Sequence, residues 1–310
     1  MYIPEPPKDV KINCYDVNSL YPSQMESRVM PIGMPTYFNG NILNINENAF
    51  GFFYCKIVAP NDILHPILQT RVKINGVTKT ISPIGTWEDM LFSEEMKNAL
   101  NLGYKINILW GYTFNSENVF KDYVNFLYNL RLQYPKSDPM NFIAKILLNS
   151  LYGRFGMNDN FDSINVIPKK FYPDFENKFI DQITNKIELD DHWLVFYNST
   201  DESTEDLGTH NVSIAIAACI TAWARVHMTI FKNNPKINLY YTDTDSAYTD
   251  SDIDDALICD KTLGKLKLEN ISKKAIFLSP KLYCLETIDN ELIYKVKGLK
   301  HEIELTMSDF

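Results

Sequence analysis

The chain has 310 residues, 45% of them hydrophobic and 22% charged, so it can bury a sizeable core and is neither disordered nor fibrous. Its formal net charge of −9 argues at first sight against a nucleic-acid partner. Five scattered cysteines without a CxxC pair argue for a reducing compartment and against a zinc site or disulfide framework.

In chain order, residues 1–8 hold Pro4, Pro6 and Pro7 and read as an extended lead-in with no sign of a signal peptide. Residues 10–15 alternate like a strand and run into Asp16-Val17-Asn18-Ser19-Leu20-Tyr21-Pro22-Ser23. A carboxylate at a strand end, then a polar turn and a helix start, suits an active site. The N–H groups of such a turn point outward and can hold phosphate oxygens. The plainer readings are a helix cap for Asp16 and a core ring for Tyr21. Residues 30–115 are expected to be β-rich and irregular, with strands at 51–58 and 105–110 and a short helix at 88–100. His65 stands alone and reads as structural. No run of the chain is apolar over a membrane-spanning length.

Residues 117–134 have helical apolar spacing through Val119, Phe120, Tyr123, Phe126, Leu127 and Leu130, with Arg131 near the end. A second helix is expected at 140–152, stopped by Gly153, so that the two form an antiparallel hairpin. Lys145, Asn149 and Tyr152 stand at i, i+4 and i+7 and share one face. A basic, an amide and an aromatic group together can take phosphate, base edge and sugar; a wet polar face is the plainer alternative. Residues 158–209 look like an acidic insertion with one clear strand at 192–197. A long helix at 210–233 is expected to pack on a sheet through Ile214, Ala217, Ala218, Thr221, Ala222, Arg225 and Met228.

Residues 238–250, NLYYTDTDSAYTD, put apolar β-formers around a short polar centre and predict a tight hairpin carrying Asp243 and Asp245. Like charges held together raise each other's pKa, and a divalent cation removes that penalty. Hard oxygen ligands on a rigid turn suit Mg²⁺. A lone Asp-Thr-Asp is more often a solvated turn, so the reading depends on its company. Charge distribution supplies some. From Tyr241 to Asp260 there are seven acids and no Lys or Arg; from Lys261 to Lys300 there are nine lysines against four acids. A cation-binding centre followed by a phosphate-binding segment looks like this, although an ordinary lysine-bearing face does too.

Taken together, DVNSLYPS at 16–23, KILLNSLYGRFG at 145–156 and YTDTDS at 241–246 resemble motifs A, B and C of family B DNA polymerases, in the same order. Ser279-Pro280-Lys281-Leu282-Tyr283 resembles the family's KxY element, and Lys297-Gly298-Leu299-Lys300 its downstream lysine motif. SLYPS with NSLYG is similar to the protein-primed branch of phages and linear mitochondrial plasmids. The resemblance implies an α+β fold: a palm of antiparallel sheet and packed helices, helical-hairpin fingers and two insertions. It divides the chain into palm at 1–38 and 210–290, a first protein-priming-type insertion at 39–115, fingers at 116–157, a second insertion at 158–209, and the start of a thumb at 291–310. With only 15 residues before Asp16, no exonuclease domain is expected here, and the thumb is expected to be reduced.

The resemblance also implies the chemistry. A DNA-directed DNA polymerase module would add deoxynucleotides to a primer 3′ end or a priming protein. Asp16, Asp245 and the Val17 carbonyl would hold two Mg²⁺ ions, which Mn²⁺ could replace. Asp243 is a third catalytic candidate and the weaker ligand. Ser19, Leu20, Arg131 and Lys145 would take the triphosphate. Tyr21, Asn149, Tyr152 and Gly153 would shape the sugar and base pocket, and Tyr241, Thr244, Lys281, Tyr283, Lys297 and Lys300 would contact DNA. Expected partners are primer-template DNA, deoxynucleoside triphosphates and a terminal priming protein, with a monomeric chain, no membrane, and a mitochondrial or viral setting. The alternative is an inactive remnant that binds primer-template DNA.

Overall fold

The computed structural model describes residues 10–157, 162–198, 213–299 and 304–310. The chain divides into two compact units: one takes the residues up to Tyr152 and those from Ala215 onward, the other is Gly153–Ile214. Among the described residues no helix is long and apolar enough to cross a membrane.

The first unit is built on a six-stranded antiparallel sheet of β1 (Ile12–Val17), β11 (Leu239–Asp243), β12 (Ser246–Thr249), β13 (Leu266–Ser279), β14 (Leu282–Thr287) and β15 (Leu292–Val296), in the order β11-β12-β1-β13-β14-β15. Alternation in β1 sends Tyr15 and Val17 to one face, against Leu20, Ala224, Met228, Phe231 and Leu266. The other face carries Cys14 with a cluster of rings, Tyr241, Tyr248, Phe277 and Tyr283. Asp16 is the penultimate residue of β1, paired with Ser246 on one side and Lys267 on the other.

Between the two ends of that sheet in sequence, the chain builds a second, four-stranded sheet. Its strands are β2 (Met30–Asn39), β7 (Lys105–Glu117), β3 (Gly51–Val58) and β6 (Thr86–Phe92), in that spatial order. The strand predicted at 51–58 forms with those bounds, burying Phe53, Cys55 and Ile57 against α2 (Ser93–Asn101) and Leu68. The helix expected at 88–100 begins only at Ser93. Residues 86–92 pair with β3 residue for residue, and the ladder outweighs the weak helical preference of that stretch. Likewise β7 runs on to Glu117, so α3 (Lys121–Gln133) starts later than the spacing suggested. A separate hairpin, β4 (Thr70–Ile74) and β5 (Val77–Ile81), turns at Asn75-Gly76, both at positive φ, 50° and 80°. That is the two-residue turn an Asn-Gly pair favours.

Helices α1 (Leu20–Ser27), α3, α4 (Pro139–Phe155) and α6 (Ile214–Met228) share a second core of Met25, Val124, Leu127, Leu148, Ile220 and Trp223. α3 and α4 form the expected hairpin. Asn141 fastens its bend, donating from Nδ2 to the carbonyls of Arg131 and Tyr134, each at 2.9 Å. Gly153 does not stop α4, which continues to Phe155. One glycine costs a helix only about 1 kcal/mol, less than three further residues of helix return in backbone bonds. In α6 the buried residues are Cys219, Ile220, Ala222, Trp223, Ala224 and Met228, so only Ala222 and Met228 of the expected apolar stripe are fully covered, and Ile214 is exposed. The helix is apolar on nearly all sides, so periodicity could not choose its face.

The second unit contains a three-stranded antiparallel sheet, β8 (Asp162–Pro168), β10 (His192–Asn198) and β9 (Ile183–Leu189), in the order β8-β10-β9, with a short helix α5 (Tyr172–Lys178). Ile167, Tyr172 and Val195 are its small core. The predicted strand at 192–197 is the central strand β10.

Candidate active site

The end of β1 and the tip of the β11–β12 hairpin are tied together through backbone. Asp243 pairs with Ser246, leaving Thr244 and Asp245 as a two-residue turn. Thr244 sits at φ 54°, a left-handed conformation unusual for a β-branched residue, and is exposed. The N–H of Asp245 donates to the Asp243 carbonyl at 2.7 Å. The Asp245 carbonyl in turn accepts the Val17 N–H at 2.9 Å. Asp16 and Asp245 therefore lie close enough to feel each other's charge, although they are far apart in sequence. Burial, then Asp245 and Glu269, push the Asp16 carboxyl up to about 6, against the pull of Lys267 and Lys145. Burial, then Asp243, also raises Asp245, and its own backbone N–H and Lys281 oppose the rise.

This is a site that disfavours its own negative charge. Among the described residues no group of three or more His, Cys, Asp or Glu is gathered in a metal cage. Two carboxylates nonetheless match the donor set of Mg²⁺, which takes one or two carboxylates and leaves other positions to water and phosphate. The residues present fit that ion.

The turn after β1 is held by a basic side chain. Ser19 adopts φ 53° and ψ 63° at the start of α1, and Arg131 of α3 donates from Nη1 to its hydroxyl at 3.2 Å. Ser19 and Leu20 thus open the helix, with the Arg131 guanidinium at its positive end. From α4, Lys145 and Asn149 are exposed, and Lys145 lies near enough to Asp16 to lower its pKa. Tyr152 stacks on Tyr21, ring centroids 4.3 Å apart and planes at 29°. Burial, then Tyr152 and Asp245, raise the Tyr21 hydroxyl, which stays protonated. Tyr21 is half-buried, so it is partly a core ring and partly a lining of the site. A methyl group added at Gly153 would meet nothing within 4 Å, so no close approach among the described residues demands glycine there.

The expected DNA-contacting residues separate into two groups. Tyr241 is only 1% exposed, and its hydroxyl accepts the Lys281 N–H at 2.9 Å. Tyr283 is 7% exposed, and its hydroxyl bonds that of Tyr248 at 3.0 Å. Both rings are core groups rather than DNA-facing ones: β11 and β14 are buried on both faces at these positions, and the two rings join Tyr248 and Phe277 in one cluster. Lys281 and Lys297 remain at the surface. Lys281, itself at φ 62°, pairs its ammonium with Asp243 at 2.8 Å, and its carbonyl accepts the Lys297 N–H at 3.1 Å. Asp243 is thus paired with a lysine, while its charge still reaches Asp245. Lys300 lies outside the described residues. Beside the hairpin opens a cleft of about 730 Å³ lined by Tyr21, Gln69, Ser82, Arg225, Lys232 and Thr244. Arg225 is joined there to the buried Glu95 by two bonds, 2.6 and 2.9 Å. Sequence spacing had made Arg225 part of an apolar stripe; nothing local to it signals a partner 130 residues earlier.

Comparison with known proteins gives the family and the fold. The family described as DNA polymerase type B, organellar and viral, matches residues 5–238. A probable DNA polymerase of Ascobolus immersus is 37% identical over 305 residues, covering 96% of this chain and 25% of that protein. A probable DNA polymerase of Neurospora intermedia is 36% identical over 94% of this chain and 30% of its own length. The DNA polymerase of Bacillus phage phi29 is 26% identical over 90% of this chain and 46% of its own length. The chain thus spans between a quarter and a half of these relatives. Phi29 DNA polymerase solved with primer-template DNA and incoming nucleotides matches the whole chain and 55% of that structure, with a TM-score of 0.72 at 20% identity. The α+β fold is therefore that of the phi29 polymerase, and the chain belongs to the organellar and viral type B DNA polymerase family.

Proposed function

We propose that this chain is the catalytic module of a DNA-directed DNA polymerase that transfers nucleotides from deoxynucleoside triphosphates to a primer 3′ hydroxyl or to the hydroxyl of a priming protein. One observation carries the reading. Five groups from four separate stretches, Asp16, Ser19, Arg131, Lys145 and Asp245, meet around the end of β1. The six-stranded sheet with α1 and α6 would be the palm, α3–α4 the fingers, and residues 39–115 and 158–209 the two insertions. The family description favours an organellar or viral setting.

Two magnesium ions bound by Asp16, Asp245 and the Val17 carbonyl would lower the pKa of the attacking hydroxyl and neutralise the departing pyrophosphate. The chain's own groups do the rest. The N–H groups of Ser19 and Leu20 bind β- and γ-phosphate oxygens at the N-terminus of α1. Arg131, held on Ser19, and Lys145 add positive charge that the transferring phosphoryl group meets most strongly in the transition state. The Tyr21–Tyr152 stack forms the floor under the sugar, and Asn149 faces the nascent pair. Thr244 and Lys281 flank the hairpin tip where the primer end would lie, and Lys297, with Lys300 beyond it, extends the phosphate track. Primer extension by the purified chain on a labelled primer-template, with Mg²⁺ and with chelator, tests the proposal. Incorporation that depends on the metal and disappears in Asp245→Asn is expected. Template binding without extension by the wild-type chain would replace this reading with the binding remnant.

A further inference from the structure

Asn18 lies inside the motif, between a proposed metal carbonyl and a proposed phosphate-binding N–H, yet its side chain points at neither. Nδ2 donates to the Cys259 carbonyl at 2.7 Å and to the Thr262 carbonyl at 3.2 Å. Its backbone is equally committed. The Asn18 N–H donates to the Lys265 carbonyl, and the Asn18 carbonyl accepts the Gly264 N–H, both at 2.9 Å. Four polar contacts thus tie one residue of the turn to a loop more than 240 positions later in sequence. The loop is shaped to come this close. Gly264 sits at φ 75°, and a Cβ there would lie 2.9 Å from Cβ of Ser23 in α1, so both the conformation and the space require glycine.

The far side of the loop reaches α3. The Tyr128 hydroxyl donates to the Lys261 carbonyl at 3.1 Å, one turn of helix before the Arg131 that holds Ser19. The loop's ends are anchored too: the Cys259 N–H donates to Leu266, and the Lys265 ammonium to the Ala256 carbonyl at 2.6 Å. Residues 259–265 therefore stand between the turn after Asp16 and the helical hairpin, bonded to both.

We infer that Asn18 is a positioning residue, and that residues 259–265 form a strut that holds the Ser19–Leu20 turn and couples it to α3. The inference rests on the polymerase reading for what the turn binds, but not for the strut itself. A turn in which Ser19 occupies a left-handed conformation without a side-chain cap must be held from outside. Asn18 and the loop hold it from below, and Arg131 holds it from the helical side. Because the same helix touches both the strut and the turn, a shift of α3 would reach the phosphate-binding N–H groups by two routes. Pre-organising those groups would favour nucleotide binding more than the chemical step.

Two arms test this on the full chain. In Asn18→Ala, hydrogen–deuterium exchange of peptides covering residues 259–265 should accelerate about five- to tenfold, the effect of losing side-chain hydrogen bonds that secure a local opening. In primer extension the same variant should raise KM for the deoxynucleoside triphosphate about tenfold and lower kcat less than about threefold. Tyr128→Phe, at an exposed contact, should accelerate the same amides about two- to fivefold, and it decides the matter should Asn18→Ala not fold. Exchange at the wild-type rate in the folded variants overturns the strut. A fall in kcat at unchanged KM overturns the role in nucleotide binding. The exchange arm needs no turnover: a wild-type chain that never extends primers sinks the proposed reaction, while accelerated exchange still supports the strut.

Discussion

Replacing Asp16 by asparagine should stabilise the metal-free protein while abolishing the proposed reaction. The carboxyl is lifted from 3.8 to about 6, mainly by burial and by Asp245. In the fold its charged form is therefore the unfavourable one. A carboxyl with a raised folded pKa costs stability as pH climbs from 3.8 to about 6, fully above 6 and not at all below 3.8. Each pKa unit corresponds to about 1.4 kcal/mol, which makes the whole shift worth about 3 kcal/mol. Asp16 is partly exposed, so solvent screening reduces this to about 1–2 kcal/mol. The substituted amide keeps the shape and carries no charge at any pH. In chelator at pH 8, Asp16→Asn should melt about 2–4 °C above the wild type. At pH 5 about half of that advantage should remain, because the wild-type carboxyl is then mostly protonated in the fold. Mg²⁺ should raise the melting temperature of the wild type and leave that of the variant nearly unchanged. Calorimetry at the two pH values, with and without metal, reads all of this. A variant less stable than wild type at pH 8, or an advantage of equal size at both pH values, would refute the electrostatic reasoning.

Lys145→Ala should raise KM for nucleotide and lower kcat together in steady-state extension, since its charge meets phosphates in both ground and transition states; an effect on template affinity alone would move it off the triphosphate. Tyr21→Val should admit ribonucleotides more than it harms deoxynucleotide addition, and Tyr152→Ala, which removes the ring stacked on it, should do the same more weakly in competition assays. Lys281→Ala should change the melting temperature little, because an exposed ion pair with Asp243 contributes about 0–1 kcal/mol, but should weaken primer-template binding measured by anisotropy. Arg225→Met should unfold the chain about 3–5 kcal/mol more easily in urea, because it strands the buried Glu95 carboxylate; Arg225→Met with Glu95→Leu should recover most of the loss.

Much of the site was legible in the sequence because its parts are local. A strand, a carboxylate, a polar turn and a helix start follow one another within residues 12–27, and each step has its own signature. The hairpin at 239–249 and the shared helix face of Lys145, Asn149 and Tyr152 are of the same kind. What sequence spacing missed depends on distant partners. The ladder to β3 turned the first half of an expected helix into β6. Tyr241 and Tyr283 belong to motif-like stretches, yet their strands are covered on both faces there and the rings lie in the core. Asn18 contacts carbonyls more than 240 positions away, and a backbone acceptor has no residue type by which to announce itself. Arg225 sat in an apolar pattern because its helical spacing fits one, while its head pairs with Glu95.

The carboxylate pair survives its own repulsion because register, rather than side-chain attraction, sets its geometry. β1 lies between β12 and β13, so Asp16 is fixed by ladders on both sides. A one-residue slip in either ladder would carry Asp16 to the opposite face, but both slips would also expose Tyr15 and Val17, which are 4% and 1% accessible. The irregularity between Cys14 and Tyr15 on the β13 side further pins that register. Asp245 is positioned by two backbone bonds at the hairpin tip, neither of which involves its carboxylate. The side-chain oxygens of both residues thus carry little of the fold, those of Asp245 taking only a local bond from its own N–H. They can be exchanged for amides without dismantling a strand, and the like-charge strain they store is available to be relieved by a cation. A site built this way loses function on substitution before it loses structure. Single substitutions at Asp16 or Asp245 should therefore separate the chemistry of this chain from its fold, whereas substitutions at Tyr15, Val17 or Tyr241 should not.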